Sequence, residues 1–182
     1  MNFKLYLLCL VMGLQPVIHA QSKLKFENHN QLGLLAGASA TSWQLQTVNG
    51  VNYKTFFLGA GIGIDKYYFK TVPLFAEGRK YIFKKKETPF VYVDAGTNFP
   101  SEKEETLTWR ITNYQPGFYC DAGIGYQWMI VKRFHVDASF GYSQKKYSSK
   151  VHYQVPAGTE TLPPESFQYR LQRFTMKLGL GF

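Results

Sequence analysis

From residue 26 onward, apolar and polar side chains alternate with a period of two. The C-terminal run is clearest: Phe174, Met176, Leu178, Leu180 and Phe182 share one face, opposite Arg173, Thr175, Lys177, Gly179 and Gly181. Segment 133–143 sets Phe134, Val136, Ala138, Phe140 and Tyr142 against Arg133, His135, Asp137, Ser139 and Gly141. Segment 117–129 repeats this with Phe118, Cys120, Ala122, Ile124, Tyr126 and Trp128 against Tyr119, Asp121 and three glycines. The same rhythm, less cleanly, marks 90–98, 72–82, 54–65 and 31–38, and it is weakest in 42–48, where Trp43 and Leu45 alone carry the apolar face. The pattern predicts eight strands and an all-β chain.

The chemistry of the two faces decides which kind of barrel eight strands would build. One face is apolar, without charge at strand centres; the other mixes glycine with Asp, Glu, Arg, Lys, His and Tyr. A dry core built from the second face would strand many charges. Apolar-out, polar-in alternation over segments of about ten residues is the pattern of a membrane-spanning barrel. The expected fold is therefore an eight-stranded antiparallel up-and-down transmembrane β-barrel, closed so that every backbone amide is paired. Short turns are expected at Asn49-Gly50-Val51-Asn52, at 84–88 and at 130–132. Asn-Gly favours tight hairpins because both central residues take positive φ. The opposite connections, at 39–42, 66–71, 99–113 and 144–167, are mostly longer, and both termini fall on the short-turn side. Tyr81, Phe83, Tyr126 and Trp128 then sit near one membrane interface, and Tyr67, Tyr68, Phe69 and Phe99 near the other.

The 182 residues suit one domain. Residues 1–20 read as a signal peptide: Lys4, an apolar core over 5–14, Pro16, and a cut after Ala20 that leaves the barrel domain at 21–182. Cys9 leaves with it, so Cys120 stands alone and forms no internal disulfide. Aromatics at 17% exclude a disordered chain, and no apolar run past residue 20 approaches a spanning helix. The net charge of +9 lies largely in connections and strand ends, including Lys84-Lys85-Lys86 and Lys145-Lys146, which suits anionic lipid headgroups and lipopolysaccharide better than nucleic acid.

Glu77, Arg79, Asp94, Asp121, Arg133, Asp137, Arg173 and Lys177 all fall on inward positions, four acids against four bases. Opposite charges in a narrow lumen should pair into a network that plugs the barrel, since eight strands leave room only for side chains. Gly59-Ala60-Gly61-Ile62-Gly63 is no dinucleotide fingerprint, and no cofactor is expected. His29, His135 and His152 show no ligand-like spacing, so no metal is expected. His135 and Ser139 share a strand face but lie about 13 Å apart at 3.3 Å per residue, too far for a nucleophile and its base; no catalytic residue is assigned. Trp109, Tyr114, Tyr147, His152 and Tyr153 are the loop aromatics placed to meet a partner.

The terminal strand ending in Phe182, the Gly-Ile-Gly-Ile-Asp run at 61–65, the Leu-Phe-Ala-Glu-Gly-Arg run at 74–79 and the Val-Tyr-Val-Asp-Ala-Gly run at 91–96 carry a resemblance. Over 26–182 the chain resembles the small outer-membrane barrels of Gram-negative bacteria, the OmpA/OmpX-like group, and most of all the outer membrane β-barrel domain proteins of Bacteroidetes. The resemblance implies an outer-membrane location. It also implies that barrel-assembly machinery reads Phe174, Met176, Leu178, Leu180 and Phe182. No catalytic motif of that family transfers. The expected role is structural or interactive. The rival readings are a component or assembly factor of an envelope complex, a barrel lipid enzyme, and a soluble lipocalin-like barrel.

Overall fold

The computed structural model describes residues 24–37, 41–66, 70–101, 104–107, 110–132, 134–153 and 163–182. Ten strands follow in order: β1 (Leu24–Ala36), β2 (Thr41–Tyr53), β3 (Phe56–Lys66), β4 (Lys70–Tyr81), β5 (Thr88–Pro100), β6 (Glu104–Leu107), β7 (Arg110–Gln115), β8 (Gly117–Val131), β9 (Phe134–Tyr153) and β10 (Glu165–Gly181). Every pairing is antiparallel, and β10 bonds both β9 and β1. The ring β1-β2-β3-β4-β5-β8-β9-β10 is thus an eight-stranded closed barrel, and β6 and β7 form a hairpin outside it. Closure continues to the end of the chain, where Asn28 and Phe182 exchange both backbone hydrogen bonds at 2.9 and 3.0 Å.

Alternation turns each face as the sequence pattern requires. Leu58, Ile124, Leu178 and Leu180 expose 63% to 66% of their surface, whereas Glu77, Asp94, Asp121 and Asp137 expose none. This polarity is the reverse of a water-soluble barrel. Trp43 and Phe99 are exposed towards the long-loop end; Phe56, Phe83, Trp128, Phe134 and Phe182 are exposed towards the short-turn end. The apolar belt is interrupted where β1 meets β2. There Asn28 donates from Nδ2 to Asn49 Oδ1 at 2.8 Å and to Thr47 Oγ1 at 3.4 Å, so these outward polar groups satisfy one another.

Several sequence expectations are corrected. Asn49-Gly50 lies inside β2, and the chain turns at Lys54-Thr55 instead. Lys54 takes φ 59°, the conformation that Asn-Gly signals offer, at a residue ill suited to it. Gly50 serves packing: a Cβ there would collide with the Leu58 carbonyl oxygen and the Gly59 Cα on β3. β1 begins seven residues before the expected start at 31, and β2 is as long as β1, at 13 residues. The stretch read as a loop from 144 continues β9 to Tyr153, and β10 begins at Glu165. The loop expected over 99–113 contains β6 and most of β7. Tyr81 joins no interface belt; it points into the lumen and is buried. Tyr67, Tyr68, Phe69 and residues 1–20 lie outside the described residues.

The two glycine environments set the first prediction. Gly50→Val should cost about 1–3 kcal/mol through overpacking. Lys54→Gly should change stability by less than about 1 kcal/mol, because relief of positive φ offsets the added chain entropy. Urea midpoints of the refolded variants check both.

Candidate functional site

The lumen carries the chemistry. Its polar side chains form three groups along the barrel axis, packed among the buried rings and methyls of Val48, Phe57, Phe75, Tyr81, Phe90, Tyr92 and Tyr119, with Glu77 of the first group directly across from Asp94 of the second.

The layer nearest the short-turn end draws on β1, β4 and β9. Arg79 donates from Nε and Nη2 to Glu77 Oε1, each at 2.8 Å, and its Nη1 lies 3.6 Å from Asp137 Oδ2. The guanidinium also rests over the Phe90 ring at 4.3 Å. Beside it, His29 Nδ1 lies 3.3 Å from His135 Nε2 and 3.7 Å from Asp137 Oδ2. Glu27 faces both rings, at 3.9 Å from His29 Nε2 and 3.7 Å from His135 Nδ1. Room for the second imidazole comes from β10: a Cβ at Gly181 would strike the His135 ring, and one at Gly179 the Asp137 carboxylate.

In the middle layer Lys177 bridges Asp94 and Asp121, at 3.2 and 3.0 Å. Its Nζ lies 4.3 Å from the centroid of the Tyr92 ring, and Tyr92 donates to Asp121 Oδ1 at 3.1 Å. In the third layer, towards the long loops, Lys145 pairs with Asp65 and donates to Thr71 Oγ1 and Asn98 Oδ1, each at 3.1 Å. Gln46 donates to the Tyr119 hydroxyl at 2.9 Å beside it. Each charged member of these two layers is essentially buried, where an unpaired ion costs several kcal/mol.

Six of the eight inward charges named from the sequence meet in the first two layers: Glu77, Arg79, Asp94, Asp121, Asp137 and Lys177. Arg173 stands apart from them. It is half-buried at the top of the barrel wall and donates to the Leu35 carbonyl at 3.4 Å. Arg133 lies outside the described residues. The sequence pattern hides the Lys145–Asp65 pair because Lys145 falls in an expected loop, and it hides Glu27 and His29 because alternation predicts a first strand only from 31. The expected balance of acids and bases is corrected. Among the described residues, Asp65, Glu77, Asp94, Asp121 and Asp137 pair with Arg79, Lys145 and Lys177, while Glu27 faces the two histidines in a vestibule that six lysines line. His29 and His135, 106 positions apart and without ligand-like spacing in the sequence, sit side by side.

A vestibule of about 1180 Å³ opens at the short-turn end, with Glu27 and His135 in its lining and Lys25, Lys54, Lys84, Lys85, Lys86 and Lys132 around them. At the other end, β9 and β10 rise beyond the barrel and pair with each other through Glu165 and Val151, while β7 adds to β9. Of the aromatics expected to meet a partner, Tyr147 is buried and stacks on Tyr169 at 4.8 Å, and Tyr114 packs on Tyr147 at 6.4 Å. His152 is exposed on β9, Tyr153 donates to Glu165 at 3.2 Å, and Trp109 lies outside the described residues. The terminal-strand residues Phe174, Met176, Leu178, Leu180 and Phe182 all face outward and are exposed.

No family model and no curated protein matches the sequence. Among solved structures, the chain is similar to Neisserial surface protein A, with TM-score 0.56 and 11% identity over 88% of this chain and 96% of that one. It is also similar to the outer membrane protein AlkL, solved in lipid bilayers, with TM-score 0.51 and 13% identity over 87% of each chain. At these identities the likeness concerns the fold: a small closed antiparallel barrel.

The middle layer yields a direct test of charge pairing. Lys177→Met strands two buried carboxylates and should cost about 3–5 kcal/mol. Adding Asp94→Asn and Asp121→Asn should recover most of that loss, as read from urea unfolding followed by tryptophan fluorescence.

Proposed function

We propose that the protein is an integral outer-membrane β-barrel with a structural or interaction role and no catalytic one. The observation that carries this reading is the pairing of an exposed apolar belt with a lumen filled by buried ion pairs. Hydrocarbon covers such a belt favourably, whereas water would not. A soluble lipocalin-like barrel would need the opposite arrangement, with apolar residues inside. In this reading residues 1–20 direct export, the assembly machinery reads the apolar face of β10, and the short-turn lysines contact lipid headgroups. The fold shared with a Neisserial surface protein and an outer membrane protein supports the same location.

A role in an envelope complex is favoured by one feature of the projecting sheet. β1 pairs with β10 only over 174–181, so residues 165–172 have β9 on one side and no described strand on the other. Phe167 and Tyr169 are exposed along that stretch. Open edges with exposed aromatics accept a partner strand readily.

The location is tested on membrane fractions of expressing cells. The protein should sediment with the outer membrane and should migrate differently on an SDS gel before and after boiling. Recovery as soluble periplasmic protein with no heat-dependent shift would overturn the reading. In planar bilayers the filled lumen should pass no stepwise current; steady channel openings would contradict a structural plug.

A further inference from the structure

We propose that Glu27, His29 and His135 form a binding site for a divalent transition-metal ion at the floor of the short-turn vestibule. One ligand atom from each of the three residues lies within 4.8 Å of the other two. Two imidazole nitrogens and a carboxylate are a donor set suited to Zn²⁺ and its neighbours in the first transition row. In a tetrahedral site with metal–ligand bonds of about 2.0–2.1 Å, ligand atoms stand roughly 3.3 Å apart. The Glu27 oxygens already lie 3.9 Å from His29 Nε2 and 3.7 Å from His135 Nδ1. Closing a site whose ligand atoms already lie within 4.8 Å of one another takes side-chain adjustments of up to about 1.5 Å.

Three further observations converge on this cluster. His29 is fully buried, yet its Nε2 makes no hydrogen bond and faces Glu27. Arg79 Nη1, which can only donate, approaches His29 Nδ1 at 3.5 Å, so in the neutral ring Nε2 holds a proton without an acceptor; a metal on Nε2 would move that proton to Nδ1 and remove the unsatisfied group. Carboxylates also gather here: Glu77 and Asp137 share one guanidinium, Arg79, while Glu27 faces the two imidazoles with no cation paired to it in this layer. Finally, both oxygens of Asp137 make no hydrogen bond, and Oδ2 lies 3.7 Å from His29 Nδ1. Metal on His29 Nε2 and His135 Nδ1 leaves protons on the two facing nitrogens, which breaks their 3.3 Å contact and turns His29 Nδ1 away from Arg79 Nη1, now 3.5 Å off. Asp137 can then accept the His29 proton, the orienting role that carboxylates play behind metal-bound histidines.

The site is reachable because Glu27 and His135 line the vestibule. The lysines around the mouth are long and flexible, so their ammonium groups can extend towards water or headgroups and away from the floor. Ligation would also tie β1 to β9 across the seam that β10 closes, next to the chain terminus.

The test uses the full barrel purified without a histidine tag, refolded in detergent and titrated with Co²⁺, then with Zn²⁺. Wild type should bind one Co²⁺ per chain with visible d–d absorption, and one equivalent of Zn²⁺ should bleach it. Asp137→Asn should weaken Zn²⁺ binding by about 10–100-fold, the effect usual for a residue behind a ligand. His29→Gln with His135→Gln should abolish the absorption, and Glu27→Gln, at the more open position, should weaken binding and leave the heat-dependent gel shift intact. No stoichiometric Co²⁺ binding by wild type would overturn the proposal. So would binding that survives unchanged in a Glu27→Gln or double-histidine variant whose gel shift reports a closed barrel.

Discussion

A strand surrounded by hydrocarbon can satisfy its amides only on other strands, and this constraint organises the molecule. It demands a closed ring, and β10 closes it by pairing with β1 and β9. Closure with apolar side chains outside then sends every alternate side chain into a space too narrow for water to fill freely. Eight strands leave a lumen that must be packed. Here it is packed by aromatic rings and by charges that hold one another. Lys177 between Asp94 and Asp121 is the central example: each partner would be expensive alone, and the ring of Tyr92 shields the ammonium from the side.

The layers differ in how completely they are balanced. Lys145 and Asp65 close a neutral pair under the long loops. The short-turn layer, by contrast, gathers more carboxylate than cation and places two imidazoles beside it. A buried ion pair thus lies towards the long loops, and the carboxylate and imidazole cluster lies at the short-turn end, where the vestibule opens. Structural plugging and ligand capture are compatible in one lumen because they occupy different depths.

Much of the architecture was legible because it depends on a local period. Alternation at Phe118, Cys120, Ala122 and Ile124 assigns faces without knowledge of any distant residue, and the structure keeps those faces. Where alternation fades, so does the reading. Beyond Gln144 the outward face of β9 turns polar at Lys146, Ser148, Lys150 and His152 while Tyr147 and Val151 are buried, so the apolar-out pattern ends where the stretch rises past the apolar belt. A strand there looks like a loop. Asn49-Gly50 misled for a related reason: a strong local turn signal lost to β2's 13-residue ladder with β1, and the glycine was needed for close approach. Pairings such as His29 with His135, or Lys145 with Asp65, join residues 106 and 80 positions apart. No spacing rule reaches that far; they appear only once the barrel curls shut.

The central claim is that the apolar face meets lipid while the charged face is enclosed. Cys120 reports on it directly, since it projects outward between Phe118 and Ala122 and is accessible in part. A nitroxide spin label on Cys120, with the barrel reconstituted in phosphatidylcholine liposomes, can be relaxed by dissolved oxygen or by a water-soluble nickel chelate. Lipid exposure predicts strong relaxation by oxygen and little by the chelate. Strong relaxation by the chelate and weak relaxation by oxygen would place that face in water and contradict the account.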